Sequence, residues 1–244
     1  MTGRAIPRVS LVIPALDEEA SLPLVLGALP RGALHEIVVV DNGSTDRTAE
    51  VAAAAGARVV REPQRGYGAA CLAGIAATDD PDVVAFVDGD FSDRPEELPE
   101  LLAPILRGEA DLVIGSRMTG PRERGALLPQ ARFGNWLATA LIRRFWGVRF
   151  TDLGPFRAIR ADALARLGMA DRDFGWTVEM QVKAARLGLR CTEVPVSYRR
   201  RVGRSKITGT VRGTILASHK ILATIFRAAA NDRRERSERA ATDI

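Results

Sequence analysis

The run Glu36-Ile37-Val38-Val39-Val40-Asp41-Asn42-Gly43-Ser44 sets four apolar residues in succession and then breaks into an acid and a turn. An unbroken apolar block, unlike an apolar/polar alternation, marks a strand covered on both faces, as in a parallel sheet. The same unit recurs on either side of it. Val9 to Pro14 leads into a helical stretch near Glu18 to Leu29, and Glu36 to Asp41 into one near Thr45 to Ala55. Arg58 to Arg61 precedes a helix near Tyr67 to Thr78, and Val83 to Val87 one near Pro95 to Leu106. Four strand–helix pairs in a row predict an α/β fold with a doubly wound, mostly parallel sheet and helices on both faces.

After Asp111-Leu112-Val113-Ile114 the regularity stops. Gly115 to Gln130 holds two prolines, three glycines and three arginines, the composition of a long and therefore functional loop. A helix near Phe133 to Trp146, an irregular stretch through Gly154-Pro155, a helix near Thr177 to Leu187 and a strand near Cys191 to Tyr198 are expected next. Neither repeat nor linker divides the chain, so residues 1–231 read as one domain, 207–231 as its basic amphipathic C-terminal helix and 232–244 as a frayed polar tail. On the terminal helix Val211, Ile215, Leu222, Ile225 and Phe226 share one face. Arg212, Lys220 and Arg227 share the other, with Leu216 an apolar exception. Such a helix either lies in a membrane interface or packs on the sheet domain.

Hydrophobic residues make up 46% of the 244 and charged residues 27%, which excludes disordered, collagenous and coiled-coil chains. Met1 to Pro7 has no apolar signal core and no apolar run is long enough to span a bilayer, so a soluble chain is expected. Cys71 and Cys191 are too few and too far apart for a metal cluster or disulfide framework; they fit a reducing cytosol and read as small core residues. With only His35 and His219, zinc hydrolysis and a Ser-His-Asp triad are poor candidates, which leaves carboxylates to carry the chemistry. The net charge of +5 is local: residues 190–231 contain nine Arg or Lys against the single acid Glu193. That basic quarter suits the phosphates of a substrate or a membrane leaflet. The aromatic interleaving and recognition helix of a nucleic-acid module are missing, so no nucleic-acid partner is expected.

In open parallel sheets ligands bind at the carboxyl ends of the strands. Three of the first four predicted strands end there in acids: Pro14-Ala15-Leu16-Asp17-Glu18, Asp41-Asn42 and Asp88-Gly89-Asp90. Asp88 and Asp90, two apart on extended backbone, project to the same side, and Gly89 leaves room between them. This spacing suits Mg2+ or Mn2+ bridging diphosphate oxygens. The plainer alternative, capping of the helix near Pro95, is better served by Ser92 and Asp93. Asp41 and Glu18 can accept hydrogen bonds from a nucleobase and a ribose, although Glu18 also fits a first-turn dipole role. Arg65-Gly66-Tyr67-Gly68 allows backbone to approach a phosphate at a helix start. Trp136, Trp146 and Trp176 are either core or walls of an acceptor groove.

Taken in order, Val12-Ile13-Pro14 with Glu18, Val40-Asp41-Asn42-Gly43-Ser44-Thr45-Asp46, Arg65-Gly66-Tyr67-Gly68, Val87-Asp88-Gly89-Asp90 and Gly115-Ser116-Arg117 resemble the family-2 glycosyltransferases of the GT-A fold. The resemblance runs to about Phe226. Asp152 to Ile159, Gly175 to Ala184, and Glu193-Val194-Pro195-Val196 through Gly203-Arg204-Ser205-Lys206 are most similar to the dolichyl- or polyprenyl-phosphate mannose and glucose synthases. The likeness implies that Pro14, Ala15, Glu18, Asp41, Gly66 and Asp88 hold a nucleotide sugar, and that Asp88 and Asp90 coordinate Mg2+ or Mn2+ on its diphosphate. It further implies that Arg117, Arg132, Arg201, Ser205 and Lys206 meet an acceptor phosphate. Asp90, Arg117 and Glu179 are the implied catalytic residues. The implied reaction is an inverting transfer of a hexose from a UDP- or GDP-sugar to a polyprenyl phosphate at the cytoplasmic membrane face.

Two departures bear on that reading. Asp17 stands where many relatives have Asn, adding charge near the nucleoside. Glu179 is followed by Met180, so the adjacent Glu-Asp pair that serves hydroxyl acceptors is missing. A phosphate acceptor is already ionised and needs no base. The alternative, a sugar or other hydroxyl acceptor, would use Glu179 as general base.

Overall fold

The computed structural model describes residues 6–203 and 211–242. Its strands are β1 (Val9–Ala15), β2 (Glu36–Asp41), β3 (Arg58–Arg61), β4 (Val83–Phe86), β5 (Leu112–Ser116), β6 (Arg157–Arg160) and β7 (Cys191–Pro195). They form one sheet in the order β3-β2-β1-β4-β6-β5-β7. All neighbouring pairs are parallel except those of β6, which runs antiparallel to both β4 and β5. The expected α/β class and mostly parallel sheet are therefore present.

The apolar blocks of the sequence serve both faces, as their pattern requires. Val12, Val38, Val40, Val84 and Phe86 face one layer, packed with α3 (Tyr67–Ala77), α5 (Pro129–Trp146), α6 (Ala161–Leu167) and α7 (Trp176–Arg186). Leu11, Ile13, Val39, Val83 and Ala85 face the other, under α1 (Leu22–Ala28), α2 (Thr48–Ala54) and α4 (Leu98–Leu106). Each fully buried Val or Leu contributes about 1.5–3 kcal/mol relative to exposure. The edge of Trp176 meets Phe86 with ring centroids 4.8 Å apart, below the carboxyl end of β4.

Several boundaries shift for local reasons. Asp17, at φ 51°, delays α1 to Leu22, and a 3-10 turn over Pro95–Glu97 precedes α4. Helix α5 begins at Pro129, where the missing N–H costs nothing. Pro195 ends β7, and Tyr198 makes only isolated bridges, to Asp93 and Arg122.

The stretch expected to be irregular after Gly154-Pro155 instead supplies β6 and α6. Arg-Ala-Ile-Arg carries no apolar block, and what fixes it is tertiary. The fully buried Arg157 donates to the carbonyls of Leu153, Gly154 and Thr177, stitching this segment to the start of α7.

The C-terminal helix α8 spans Val211–Thr242, so the frayed tail expected from residue 232 is corrected. Asp232 is anchored: it accepts from Trp146 Nε1 at 2.6 Å and pairs with Arg186 at 2.6 Å. Ile225 is buried against the domain with Ile221 and Ala228 packed beside it, which is the packed rather than the interfacial arrangement for this part of the helix. Phe226, expected on the same face as Ile225, is 52% exposed and lies edge-on to Phe145 at 5.9 Å, because adjacent helical residues point 100° apart. The side chains of Val211, Arg212, Ile215 and Leu216 lie outside the described residues, as do Ser205 and Lys206. Among the described residues no helix is long and apolar enough to cross a membrane.

Candidate functional site

The carboxyl ends of β1, β2 and β4 open onto a cavity of about 290 Å3 whose walls include Pro14, Ala15, Glu18, Asn42, Gly66, Tyr67, Asp88, Gly89 and Asp90. Six of the residues expected at a nucleotide-sugar and metal site thus share one cavity. Loops after β1 and β2 are knitted together to shape it. The Asp17 carboxylate accepts from the backbone N–H of Thr45 at 2.7 Å, and Thr48 Oγ1 accepts from the N–H of Glu18 at 2.8 Å. Asp17 thereby spends its charge on the neighbouring loop rather than on the cavity wall.

Asp41 is the exception in this group. Buried behind the cavity, it accepts from the N–H of Ser44 at 2.9 Å and closes the turn after β2, while its neighbour Asn42 takes the wall position. Asn42 Oδ1 accepts from the N–H of Gly66 at 2.8 Å, and its amide donates to the carbonyls of Glu62 and Gln64. The sequence singled out the acid; the amide, which can donate and accept at once, does the positioning.

Asp88 accepts from the Tyr67 hydroxyl at 3.0 Å. Burial, and then the neighbouring Asp90 carboxylate, push Asp88 up to about 7. Asp90 is buried; it accepts from the N–H of Ser92 and pairs with Arg201 at 2.9 Å. Two hard carboxylates held together in a poorly solvated wall fit a divalent cation, which relieves their mutual repulsion. Among the described residues no group of three or more His, Cys, Asp or Glu is arranged to hold a metal alone. Such a two-carboxylate site leaves coordination positions to diphosphate oxygens and water.

The glycines of Arg65-Gly66-Tyr67-Gly68 have a use in addition to the one expected. A Cβ on Gly66, whose φ is 145°, would lie 2.1 Å from the Arg172 carbonyl oxygen, and one on Gly68 would lie 2.1 Å from that of Asp171. The Arg172 carbonyl also accepts from the N–H of Ala69 at 2.8 Å, taking one of the donors at the start of α3. The glycines therefore admit the 171–172 loop, which carries Asp173 and Phe174 into the cavity wall. Nothing in the local sequence around Asp173 signalled that placement.

A second cavity, of about 420 Å3, also has Arg201 in its wall, together with Arg117, Arg200, Leu127, Leu128, Leu153 and Ile221. None of the described residues lining it is acidic. Arg117 is held by a two-point contact with the fully buried Asp152, Nε to Oδ2 at 2.8 Å and Nη2 to Oδ1 at 2.7 Å. Burial works against both charges, but each partner overrides it, lowering the carboxyl of Asp152 and raising the guanidinium of Arg117. Asn135, also in the wall, donates to Asp152 and accepts from the N–H of Leu153. This Asp152–Asn135 support for Arg117 was not foreseen.

Two expected site residues lie elsewhere. Arg132 is exposed on α5 and lines neither cavity. Glu179 is buried on α7, accepts from the N–H groups of Ala170 and Asp171 and pairs with Lys183 at 2.8 Å. It also lines neither cavity, so as a general base it is misplaced. Its carboxylate instead fixes the loop whose far end bears Asp173. Of the tryptophans, Trp176 is core, Trp146 anchors α8 and Trp136 is exposed.

The family model described as glycosyl transferase family 2 matches residues 10–168. An uncharacterised glycosyltransferase of Mycobacterium tuberculosis is 44% identical over 211 residues, 86% of this chain and 94% of that protein. The undecaprenyl-phosphate mannosyltransferase of Micrococcus luteus is 36% identical over 222 residues, 84% and 90% of the two chains. Among solved structures, glucosyl-3-phosphoglycerate synthase from Mycobacterium tuberculosis, in complex with Mn2+, UDP-glucose and phosphoglyceric acid, superposes with a TM-score of 0.74. It is 27% identical, and the match covers 92% of this chain and 80% of that one. The family match spans β2 and β4, whose carboxyl ends lead into Asp41 and Asp88, and the two relatives cover 86% and 84% of the chain: this chain belongs to glycosyl transferase family 2 and is a hexosyltransferase.

Proposed function

We propose that the chain transfers a hexose from a nucleoside-diphosphate sugar to a polyprenyl phosphate by a single inverting displacement. The observation that carries this reading is the pair of cavities sharing Arg201, one walled by Asp88 and Asp90 and the other by arginines and apolar side chains, with no acid among its described lining residues. Pro14, Ala15, Glu18 and Asn42 would seat the nucleoside. Asp88 and Asp90 would hold Mg2+ or Mn2+, which when bound supplies Lewis-acid stabilisation of the leaving diphosphate. Arg117, preset by Asp152, with Arg200 and Arg201 would orient the acceptor phosphate, and Leu127, Leu128, Leu153 and Ile221 would receive the start of the prenyl chain. No general base is required, consistent with Glu179 being tied up elsewhere. A lipid-linked acceptor puts the membrane surface at the mouth of this cavity, near Arg132 and the exposed Phe133 and Trp136 at the start of α5.

A second reading, an acceptor that is small, soluble and phosphorylated, is supported by the phosphoglyceric acid bound in the structural relative. Incubating the protein with Mn2+, UDP-glucose or GDP-mannose, and either farnesyl phosphate or 3-phosphoglycerate separates the two. Turnover on the prenyl phosphate, lost in Asp90→Asn with the fold intact, is the expected result. Turnover on phosphoglycerate alone would replace the lipid acceptor by the soluble one.

A further inference from the structure

Arg201 stands at the boundary of the two cavities and belongs to the walls of both. Its guanidinium pairs with Asp90 Oδ2 at 2.9 Å, while Asp90 Oδ1 accepts from Ser92. Both oxygens of the carboxylate are therefore engaged. A divalent cation on that carboxylate and a guanidinium in contact with the same oxygen repel each other at a few ångströms in a half-dry wall, where such terms are poorly screened. The two cations compete for Asp90.

Where a displaced Arg201 would go is restricted by its backbone. The N–H of Val202 donates to the Asp90 carbonyl at 3.0 Å and that of Arg199 to the Ser92 carbonyl at 2.9 Å, so the strand-like segment is pinned on both sides of residue 201. Movement is then a matter of side-chain rotation about a fixed Cα, and the other space that its side chain already borders is the second cavity. Without an anion that cavity is a poor destination, because Arg117 and Arg200 already supply positive charge and none of its described lining residues is acidic. With a phosphate bound there, a third guanidinium is favourable.

We infer that Arg201 is an exchangeable cation that leaves Asp90 for the second cavity when a divalent ion and an acceptor anion bind, so that each binding event strengthens the other. The inference rests on the donor and acceptor assignments proposed above. It makes Arg201 a positioning residue on the metal side and a direct ligand on the acceptor side. Thermodynamic reciprocity then requires that the factor by which the metal tightens anion binding equals the factor by which the anion tightens metal binding.

The test measures Mn2+ binding by electron paramagnetic resonance, with and without farnesyl phosphate or inorganic phosphate, and binding of each phosphate with and without Mn2+. It uses the full chain, Arg201→Gln and Arg201→Lys. In the unmodified chain the two factors should agree and lie within the roughly 5- to 150-fold range of allosteric couplings. Arg201→Gln should bind Mn2+ alone on the order of tenfold more tightly and lose most of the coupling. Arg201→Lys, which keeps the charge, should retain part of it. Coupling undiminished in Arg201→Gln, or a crystal structure with both Mn2+ and phosphate bound in which the guanidinium still sits on Asp90, overturns the exchange. Coupling with inorganic phosphate but no binding of farnesyl phosphate would support the exchange while removing the lipid acceptor.

Discussion

Replacing Gly68 by alanine tests whether the glycines at the start of α3 serve the loop rather than a phosphate. The added methyl would begin 2.1 Å from the Asp171 carbonyl oxygen and 2.8 Å from the Arg172 carbonyl carbon, so the 171–174 segment must retreat by about 1 Å to restore ordinary contact. Overpacking of this kind costs about 1–3 kcal/mol, and alanine in place of glycine in a helix returns about 1 kcal/mol. Gly134, within α5, has nothing within 4 Å of its would-be Cβ and provides the control with the same propensity gain and no clash. Gly68→Ala should therefore melt below Gly134→Ala by about 2–12 °C, at about 2–4 °C per kcal/mol for a domain of this size. Because Asp173 and Phe174 move with the segment, UDP or GDP should bind roughly tenfold or more weakly to Gly68→Ala and unchanged to Gly134→Ala. Calorimetry on the three proteins reads both quantities. Equal melting and equal nucleotide affinity in the two variants would refute the packing argument.

Asp152→Asn leaves Arg117 buried without its carboxylate and should destabilise the fold by about 3–5 kcal/mol, measured by urea unfolding at pH 7. The Asp152 carboxyl lies below its usual value in the folded chain, so its contribution is present above about pH 4 and is lost as pH falls through the folded value. The acid limb of the stability profile should flatten in Asp152→Asn; an unchanged limb would assign acid sensitivity elsewhere. Asp232→Ala removes the partner of Trp146 Nε1 and Arg186 and should cost about 1–3 kcal/mol. A melting temperature equal to that of the unmodified chain would show that this part of α8 is not anchored there. Glu179→Gln should lower stability through the 170–171 loop while leaving the pH dependence of turnover in place, since its carboxylate lines neither cavity. A catalytic pH limb abolished by that variant would restore Glu179 as a base.

The sheet and the position of its ligand edge were legible in the amino-acid order alone. Apolar blocks such as Ile37 to Val40 can be satisfied only between two helical layers, and the acids that follow them must then fall on one edge. Pairs close in sequence were equally readable: Asp88 and Asp90 share a cavity as expected, although β4 ends at Phe86 and it is a turn at Gly89-Asp90, not extended backbone, that brings them there. What the order did not reveal depends on groups far apart along the chain. Segment 157–167 has little intrinsic signal and becomes strand and helix through the buried hydrogen bonds of Arg157. The polar end of α8 is held by Trp146 and Arg186, 86 and 46 positions away in the chain. Whether a charged residue lines the cavity or only braces the scaffold was settled by such contacts too: Asp17, Asp41 and Glu179 bind loop N–H groups away from the cavity wall, whereas Asp88 and Asp90 lie in that wall, held there by Tyr67, Ser92 and Arg201. The physical reason is that periodicity records which side of an element is apolar, while the partner of a polar atom is chosen only when distant segments meet.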